Sequence, residues 1–346
     1  MVRSVHSHKL PNILAMSRLI TVTAPSRLHF GLFGLQQEEG RMFGGVGAMV
    51  DQPALRLRVR GASSFACVGP LQERTQEFSR RWAEFYGLTQ PPACRIEVLE
   101  APPNHVGLGV GTQLGLSVAA GLNAFSGMPA AGPRELALCV GRGQRSAIGT
   151  YGFVMGGLIV EQGKLAGEPI SSLDCRIDLP EEWRFVLVRP QALGHSLSGE
   201  LEEQAIAELP GVPEVVTQRL IAMARDELVP AAATAHFPQF AESLYQFGHQ
   251  AGSCFAARQG GPYNGAVLTN LIEWLRNRGY AGVGQSSWGP TVFAALPNQH
   301  SALVLSDLLQ QELPEGPLEV TIAAPCNRGA LVQSALGEVS GTEVSD

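Results

Sequence analysis

Charge is scarce in this chain. Only 16% of the 346 residues are Asp, Glu, Lys or Arg, and no stretch gathers the basic ones into a run. That excludes the electrostatic footprint of a nucleic-acid binder. With a formal net charge of −6, the overall field does not attract a phosphorylated ligand, so local donors must hold one. Paired cysteines are also missing. Cys67, Cys94, Cys139, Cys175, Cys254 and Cys326 lie far apart and form no C-x-x-C, which argues for isolated thiols in a reducing compartment and against a zinc site or disulfide framework. No apolar run reaches the ~18 residues of a membrane span. The opening stretch, MVRSVHSHKLPNILAMSRLITV, is too short and too broken by polar residues and Pro11 for a secretory segment. Residues 1–17 are expected to form a flexible extension, with Met16 a candidate start, and residues 336–346, polar and Gly/Ser-rich, a flexible tail. The expectation is a cytoplasmic protein without membrane or nucleic-acid partners.

What is present is a globular pattern: 45% hydrophobic residues and 40 glycines. LITVTAP (19–25) and ALRLRVRG (54–61) alternate like half-buried strands, the latter with Arg56, Arg58 and Arg60 on its solvated face. QEFSRRWAEFYGL (76–88) has aromatics at helical spacing and closes on Gly87, and CRIEVLEAPP (94–103) is a strand stopped by prolines. PRELALCVG (133–141) is a short helix with proline early and glycine last. YGFVMGGLIVEQGK (151–164) reads as a glycine-interrupted strand. In the second half, EWRFVLVRP, TVFAALP and GPLEVTIAAP are strands. HSLSGELEEQAIAEL (195–209) reads as a loop and a helix, residues 213–252 as two helices broken near Pro230 and Pro238, and 264–279 and 301–313 as further helices. Strands with interspersed helices indicate an α+β fold. The expected division is 18–170 and 180–335.

One segment carries more information than the rest: HVGLGVGTQLGLSVAAGL, residues 105–122. Its glycines let a backbone approach an anion, and the helix that follows offers free N–H groups and a positive dipole end. Thr112 is the expected N-cap, and the helix is apolar nearly all round, which places it centrally. No lysine follows the loop, as a P-loop would require.

Three segments in this order, APSRLHFGLFGL (24–35), PPNHVGLGVGTQ (102–113) and GVGQSSWGPTVFAAL (282–296), resemble the GHMP kinase superfamily. The resemblance implies a first domain like domain 2 of ribosomal protein S5 and a ferredoxin-like second domain. SRLHFGL, GLGVGTQL, GRGQRSAIGTYGFVMGGLIV and GQSSWGPTVF further resemble the β-ribofuranosylaminobenzene 5′-phosphate synthase branch. That branch joins phosphoribosyl pyrophosphate to 4-aminobenzoate or 4-hydroxybenzoate in methanopterin biosynthesis, releasing CO2 and pyrophosphate. The resemblance also implies Mg2+, bound through the pyrophosphate, and a possible homodimer.

The departures from a kinase are informative. Where kinases of this superfamily read Gly-Leu-Gly-Ser-Ser-Ala, this chain has Gly107, Leu108, Gly109, Val110, Gly111 and Thr112. Val110 offers no hydroxyl to a metal. Gly149 aligns with a kinase catalytic Asp, and nothing acidic lies between Arg145 and Gly157. An ATP-dependent kinase, the alternative reading, would lack its base, so no ATP requirement is expected. A departing pyrophosphate suits the loop from Gly107 through Gly109, Val110, Gly111, Thr112 and Gln113. Arg142 and Arg145 in GRGQRS would either grip phosphate oxygens as bidentate forks or be surface charges beyond a helix end. Arg27 and His29 lie two apart and so on one face; Arg27 suits a 5′-phosphate or a carboxylate, and His29 the ring substrate or a leaving oxygen, unless it is a core histidine. Ser286 and Ser287 are potential donors, and Trp288 would stack on the ring or pack beneath its turn. Asp51 either holds ribose hydroxyls or Mg2+ or serves a turn. His105 and His195 are weaker candidates.

Overall fold

The computed structural model describes residues 18–35, 40–191, 193, 208–209, 211–312 and 317–336. The expected extension at 1–17, His195, most of the 195–209 helix and the tail from 337 lie outside these residues.

The chain begins with two long strands, β1 (Arg18–Phe33) and β2 (Gly44–Gly61), then β3 (Ala66–Val68), α1 (Gln72–Phe85), β4 (Cys94–Glu100) and α2 (Val110–Phe125). Next come α3 (Pro133–Val140), α4 (Ile148–Met155), β5 (Leu158–Glu161), β6 (Leu173–Ile177) and β7 (Arg184–Pro190). A helical stretch follows: α5 (Glu214–Ala222), a π-helical turn (Met223–Leu228), α6 (Val229–Ala233), α7 (Phe237–Ser253), α8 (Ala256–Gln259) and α9 (Gly265–Asn277). The chain closes with β8 (Gly282–Gln285), β9 (Val292–Leu296), α10 (Gln299–Glu312), β10 (Leu318–Ala323) and β11 (Leu331–Leu336).

Two sheets result. The first has seven strands. Its main path is β11-β1-β2-β4-β3, with β5 paired to the early part of β2 and β6 to β5. The second is antiparallel, in the order β10-β7-β9-β8. Numbered along the chain, that is 4-1-3-2, with helices connecting the first to the second strand and the third to the fourth: the ferredoxin-like arrangement. The sheets change over between β6 and β7. The last strand then returns to pair with β1, Arg18 opposite Leu336 and Thr23 opposite Leu331, so the segment 180–335 supplies both sheets.

Alternation along the second sheet explains its two-sided packing. Phe185, Leu187, Phe293 and Ala295 join the large core shared with the first sheet, where Phe30 lies 5.2 Å from Phe293 and 6.4 Å from Phe185. Val186, Val188, Val292 and Ala294 point the other way, onto Leu268, Ile272 and Leu275 of α9 and Ala302, Leu305 and Leu309 of α10. As its composition requires, α2 is buried on nearly every side. Arg56 and Arg60 are exposed and Arg58 is half-buried, so this row is the solvated face of β2.

Three local expectations need correction. Residues 151–164 are not one strand: α4 runs to Met155, and Gly156 and Gly157, both with positive φ (62° and 83°), turn the chain into β5. Pro230 and Pro238 do not break helices. Pro238 sits in the first turn of α7, where proline's missing N–H has no partner to lose; Pro230 lies inside an unbroken helical run, 214–233, directly after its π-helical turn, and the chain interrupts instead at 234–236. The N-cap of α2 is Gly109, at φ 73°, and Thr112 lies inside the helix. No helix among the described residues is long and apolar enough to cross a membrane.

Candidate anion-binding active site

β1, the loop before α2 and the α3–α4 turn meet α7, α8 and the β8–β9 turn around a cleft of about 440 Å3. The first set supplies its cations. Arg27 and His29 reach it from β1, as their two-residue spacing suggests; the register of β1 against β2 slips between His29 and Gly31. The backbone N–H of Arg27 donates to the Leu108 carbonyl at 3.0 Å, fastening the glycine loop to the strand.

At the helix start, Thr112 and Gln113 return their N–H groups to the Gly109 carbonyl, each at 3.0 Å. A bound anion would therefore meet the N–H groups of Val110 and Gly111 ahead of them. The two guanidiniums crowd Gly111: a Cβ there would stand 2.5 Å from a guanidinium nitrogen of Arg74 and 3.3 Å from one of Arg142. Arg142 follows the left-handed Gly141 at the end of α3 and lies over the Phe78 ring at 5.1 Å. It lines the cleft, as does Arg145. Burial, and then the neighbouring Arg74 and Arg81, push the Arg142 guanidinium down to about 10. Burial also lowers Arg74, whose Nη1 donates to Asn104 Oδ1 at 3.1 Å. These cations crowd together with no acid in the lining: among the described residues the cleft has Arg27, Arg74, Arg142, Arg145, His29 and His105 but no Asp or Glu.

The opposite side is neutral. Phe255, Trp288 and Tyr263 line it, with Gly248, Ala251 and Gly252 of α7. Trp288 is 7% exposed and meets Phe255 edge-on at 5.1 Å, so it packs beneath its turn and faces the cleft as well. The β8–β9 turn is sewn to the glycine loop. Ser286 Oγ donates to the Gly107 carbonyl at 2.7 Å and accepts from the His29 N–H at 3.0 Å; Thr291 Oγ1 donates to the Val106 carbonyl at 2.6 Å. A Cβ on Gly107 would come within 2.4 Å of the Ser286 carbonyl oxygen, and Gly107 itself has φ 86°. Two non-glycine residues in the lining, His105 and Ser287, hold left-handed backbones at φ 58° and 56°, a strain that tends to collect at functional sites.

Several sequence-predicted residues occupy other places. Ser286 is fully buried and acts as the clip just described; Ser287 is the one that reaches the lining. Gln113 is 1% exposed, lies beneath the loop and donates to the Gly149 carbonyl at 2.9 Å, tying α2 to α4. Asp51 is exposed and outside the cleft: its carboxylate accepts the Ala324 N–H at 2.7 Å and joins β2 to the segment after β10.

Three residues were missed. Arg74 precedes the stretch whose periodicity marks α1, yet it lies one helical turn before buried Phe78, on the stripe that faces inward. Ser146 and Glu161 form a buried set with His29. Ser146 Oγ donates to Glu161 Oε1 at 2.6 Å, the Ala147 N–H donates to Oε2 at 2.7 Å, and His29 Nε2 lies 3.1 Å from Ser146 Oγ. Burial pushes the Glu161 carboxyl up to about 7, against the opposing pull of its hydrogen bonds and of Arg27. Burial, reinforced by Arg27, holds His29 well below the ordinary imidazole range, so its ring is neutral at pH 7. An acid closing the otherwise apolar, fully buried strand LIVE was the available signal.

The donor set does not suit a protein-held Mg2+. The cleft lining has no carboxylate, and no group of three or more His, Cys, Asp or Glu stands together among the described residues.

Comparison with known proteins agrees with this architecture. Residues 228–314 match the family described as GHMP kinases C terminal. Solved structures with the same fold include a homoserine kinase from Cytophaga hutchinsonii (TM-score 0.62, 15% identity, 95% of this chain and 100% of that one). A mevalonate diphosphate decarboxylase from Staphylococcus aureus is similar at TM-score 0.63 and 12% identity, over 91% of this chain and 98% of that one. The chain thus has the GHMP kinase fold. By sequence it is similar to the beta-ribofuranosylphenol 5′-phosphate synthase of Methanothermobacter thermautotrophicus, 28% identical over 337 residues, which span 90% of this chain and 98% of that protein. The synthase of the same name from Archaeoglobus fulgidus is also 28% identical, over 80% of this chain and 87% of its own.

Proposed function

We propose that the chain is a decarboxylating pentosyltransferase of the beta-ribofuranosylphenol 5′-phosphate synthase type. It would join phosphoribosyl pyrophosphate to 4-hydroxybenzoate, form a C–C bond at ribose C1, and release CO2 and pyrophosphate. The phenol in the relatives' name favours the hydroxy over the amino substrate.

The observation that carries this reading is the cleft's division of labour: four arginines and a helix N-terminus on one side, aromatic rings on the other, and no carboxylate in the lining. Such a site suits a leaving group with several negative charges beside a planar ring. It does not suit a kinase reaction, in which a carboxylate takes the acceptor's proton. Arg74, Arg142 and Arg145, with the N–H groups of Val110 and Gly111, are the proposed pyrophosphate donors. They lower the barrier most if they hold the leaving anion as positive character grows at ribose C1. Arg27 would take the 5′-phosphate or the benzoate carboxylate. Trp288 and Phe255 would hold the ring over C1. Mg2+ would enter on the pyrophosphate, as part of the substrate. Attack by the ring carbon that bears the carboxylate interrupts aromaticity, and loss of CO2 restores it.

The test is incubation of the purified chain with phosphoribosyl pyrophosphate, Mg2+ and carboxyl-labelled 4-hydroxybenzoate. Labelled CO2 and one equivalent of pyrophosphate are expected, without ATP. Absence of labelled CO2 from both the hydroxy and the amino benzoate overturns the reading.

A further inference from the structure

We propose that Glu161, acting through Ser146, sets the tautomer of His29 and takes up the proton that His29 removes from the ring substrate's hydroxyl group. Glu161 and Ser146 are thus positioning residues, and His29 is the group that meets the substrate; the step rests on the reaction proposed above.

The geometry is a three-membered chain. With Glu161 ionised, Ser146 Oγ–H donates to Oε1 at 2.6 Å. Ser146 then has lone pairs free, and His29 Nε2, 3.1 Å away, must be the donor. Nδ1 is left as the acceptor, on a residue that lines the cleft. The second carboxylate oxygen is fixed by the Ala147 N–H at 2.7 Å, and the Ile148 N–H reaches Ser146 Oγ at 3.3 Å, so the chain has a preferred direction. Protonated Glu161 reverses it: Oε1–H donates to Ser146, Ser146 donates to Nε2, and Nδ1 carries the hydrogen.

That reversal moves one proton without ever charging the imidazole. The substrate O–H breaks and Nδ1–H forms; Nε2–H breaks as its proton passes to Ser146 Oγ, and the Ser146 proton passes to Glu161 Oε1. The freed electron pair on the substrate oxygen is pushed through the ring to the para carbon. That carbon bonds to ribose C1 as the C1–O bond breaks, and pyrophosphate leaves with the pair. When the bond to CO2 breaks, its electrons return through the ring to the oxygen, and the chain runs backwards to protonate it. No proton is gained or lost overall.

The surroundings fit a carboxyl that changes charge near neutrality. Arg27 from β1 is the cation whose field reaches both ends of the chain. Tyr151 on α4 is the neighbouring phenol and Ser171 a further hydrogen-bond partner of the carboxyl. On the far side Glu161 borders a second hollow lined by Arg41, Asp174, Glu214 and Arg225. There Arg41 is paired with Glu168 and Arg225 with Asp174. Arg145, beside Ser146 in sequence, faces the cleft.

Nitrogen NMR of the full chain with labelled histidine reads the tautomer directly, with or without turnover. His29 is expected to stay neutral from pH 5.5 to 8.5 while its hydrogen moves from Nδ1 to Nε2, with a midpoint near the Glu161 value of about 7. In Glu161→Gln the tautomer stops responding to pH. In Ser146→Ala the response is lost, and in Ser146→Thr, which keeps the hydroxyl, it returns. For turnover of 4-hydroxybenzoate, kcat should fall on the acid side of pH 7 in the unmodified protein. Glu161→Gln and Ser146→Ala should lower kcat about a hundred-fold, abolish that limb and leave KM within a factor of a few. A His29 that becomes charged in this range, or a tautomer that titrates equally in Glu161→Gln, overturns the proposal. If no benzoate releases CO2, the reaction assigned above fails, while the tautomer measurement still decides whether the relay exists.

Discussion

The two sides of the cleft are built on opposed principles. On one side Arg74 and Arg142 are drawn out of water and toward each other, their guanidiniums converging at Gly111. Burial pushes both guanidiniums below their usual range, and at Arg142 repulsion by Arg74 and Arg81 adds to it, so in the free protein they work against folding. On the other side Trp288 and Phe255 bury their rings with Leu35 and Leu209, which favours folding whether or not a ligand is present. One wall is organised for an anion, and the other for its own stability. Substitutions on the two should therefore separate activity from folding.

The largest effect belongs to the cationic wall. Arg142→Ala should lower kcat/KM by about a hundred- to a thousand-fold, the cost of leaving a buried anion without its charged partner. Its thermal midpoint without ligand should stay unchanged or rise, because a desolvated and repelled cation has been removed. Added pyrophosphate should raise the midpoint of the unmodified protein and raise that of the variant far less. Calorimetry of both proteins with and without pyrophosphate checks this; equal stabilisation would place the anion elsewhere.

Trp288→Ala should do the reverse. Removing a buried indole typically costs about 3–5 kcal/mol, so denaturant unfolding should show a loss of that order, with Trp288→Phe recovering most of it. Pyrophosphate should still stabilise the variant, while the apparent affinity for the benzoate falls. A variant as stable as the parent would show that Trp288 is held only by its turn.

The same contrast explains what could be read in the sequence. The glycine loop, Arg27, His29, Arg142 and Arg145 were legible because their neighbours in the chain build their setting: a strand with alternate residues on one face, a helix N-terminus and a turn after a helix. The ferredoxin-like fold of the second part was implied by resemblance, and β7, β9 and β10 were read as strands, whereas β8, a four-residue strand with two glycines, was not. Arg74 and Glu161 were not legible as site residues. Arg74 becomes one only where α1 crosses the start of α2, and Glu161 only because β5 pairs with β2 and lies against the N-terminus of α4. Asp51 drew attention as an acid after a glycine-rich segment, but the hydrogen bonds it makes are those of a seam between β2 and residue 324. Gln113 follows the loop in sequence, yet helical geometry turns it inward.

The finest distinction concerns pH, because the two ends of the buried relay push stability in opposite directions. The Glu161 carboxyl is raised from 4.5 to about 7 in the folded chain. Between those values the folded state holds a proton that the unfolded state has released, so stability falls as pH rises, and above about 7 the penalty is constant. His29 is lowered from 6.5. Below 6.5 the unfolded state binds the extra proton, so its share of stability falls as pH drops. In the unmodified protein these slopes oppose each other from pH 4.5 to 6.5, and Glu161 alone acts between 6.5 and 7. Glu161→Gln, whose amide can accept the Ala147 N–H and donate to Ser146, removes one slope and keeps the other. Relative to the unmodified protein, the variant should gain stability as pH rises from 4.5 to about 7 and keep that gain above it. Urea unfolding of both proteins at half-unit steps would show the difference curve, and a flat one would mean that Glu161 is ionised throughout and that its burial is offset by the hydrogen bonds of Ser146 and Ala147.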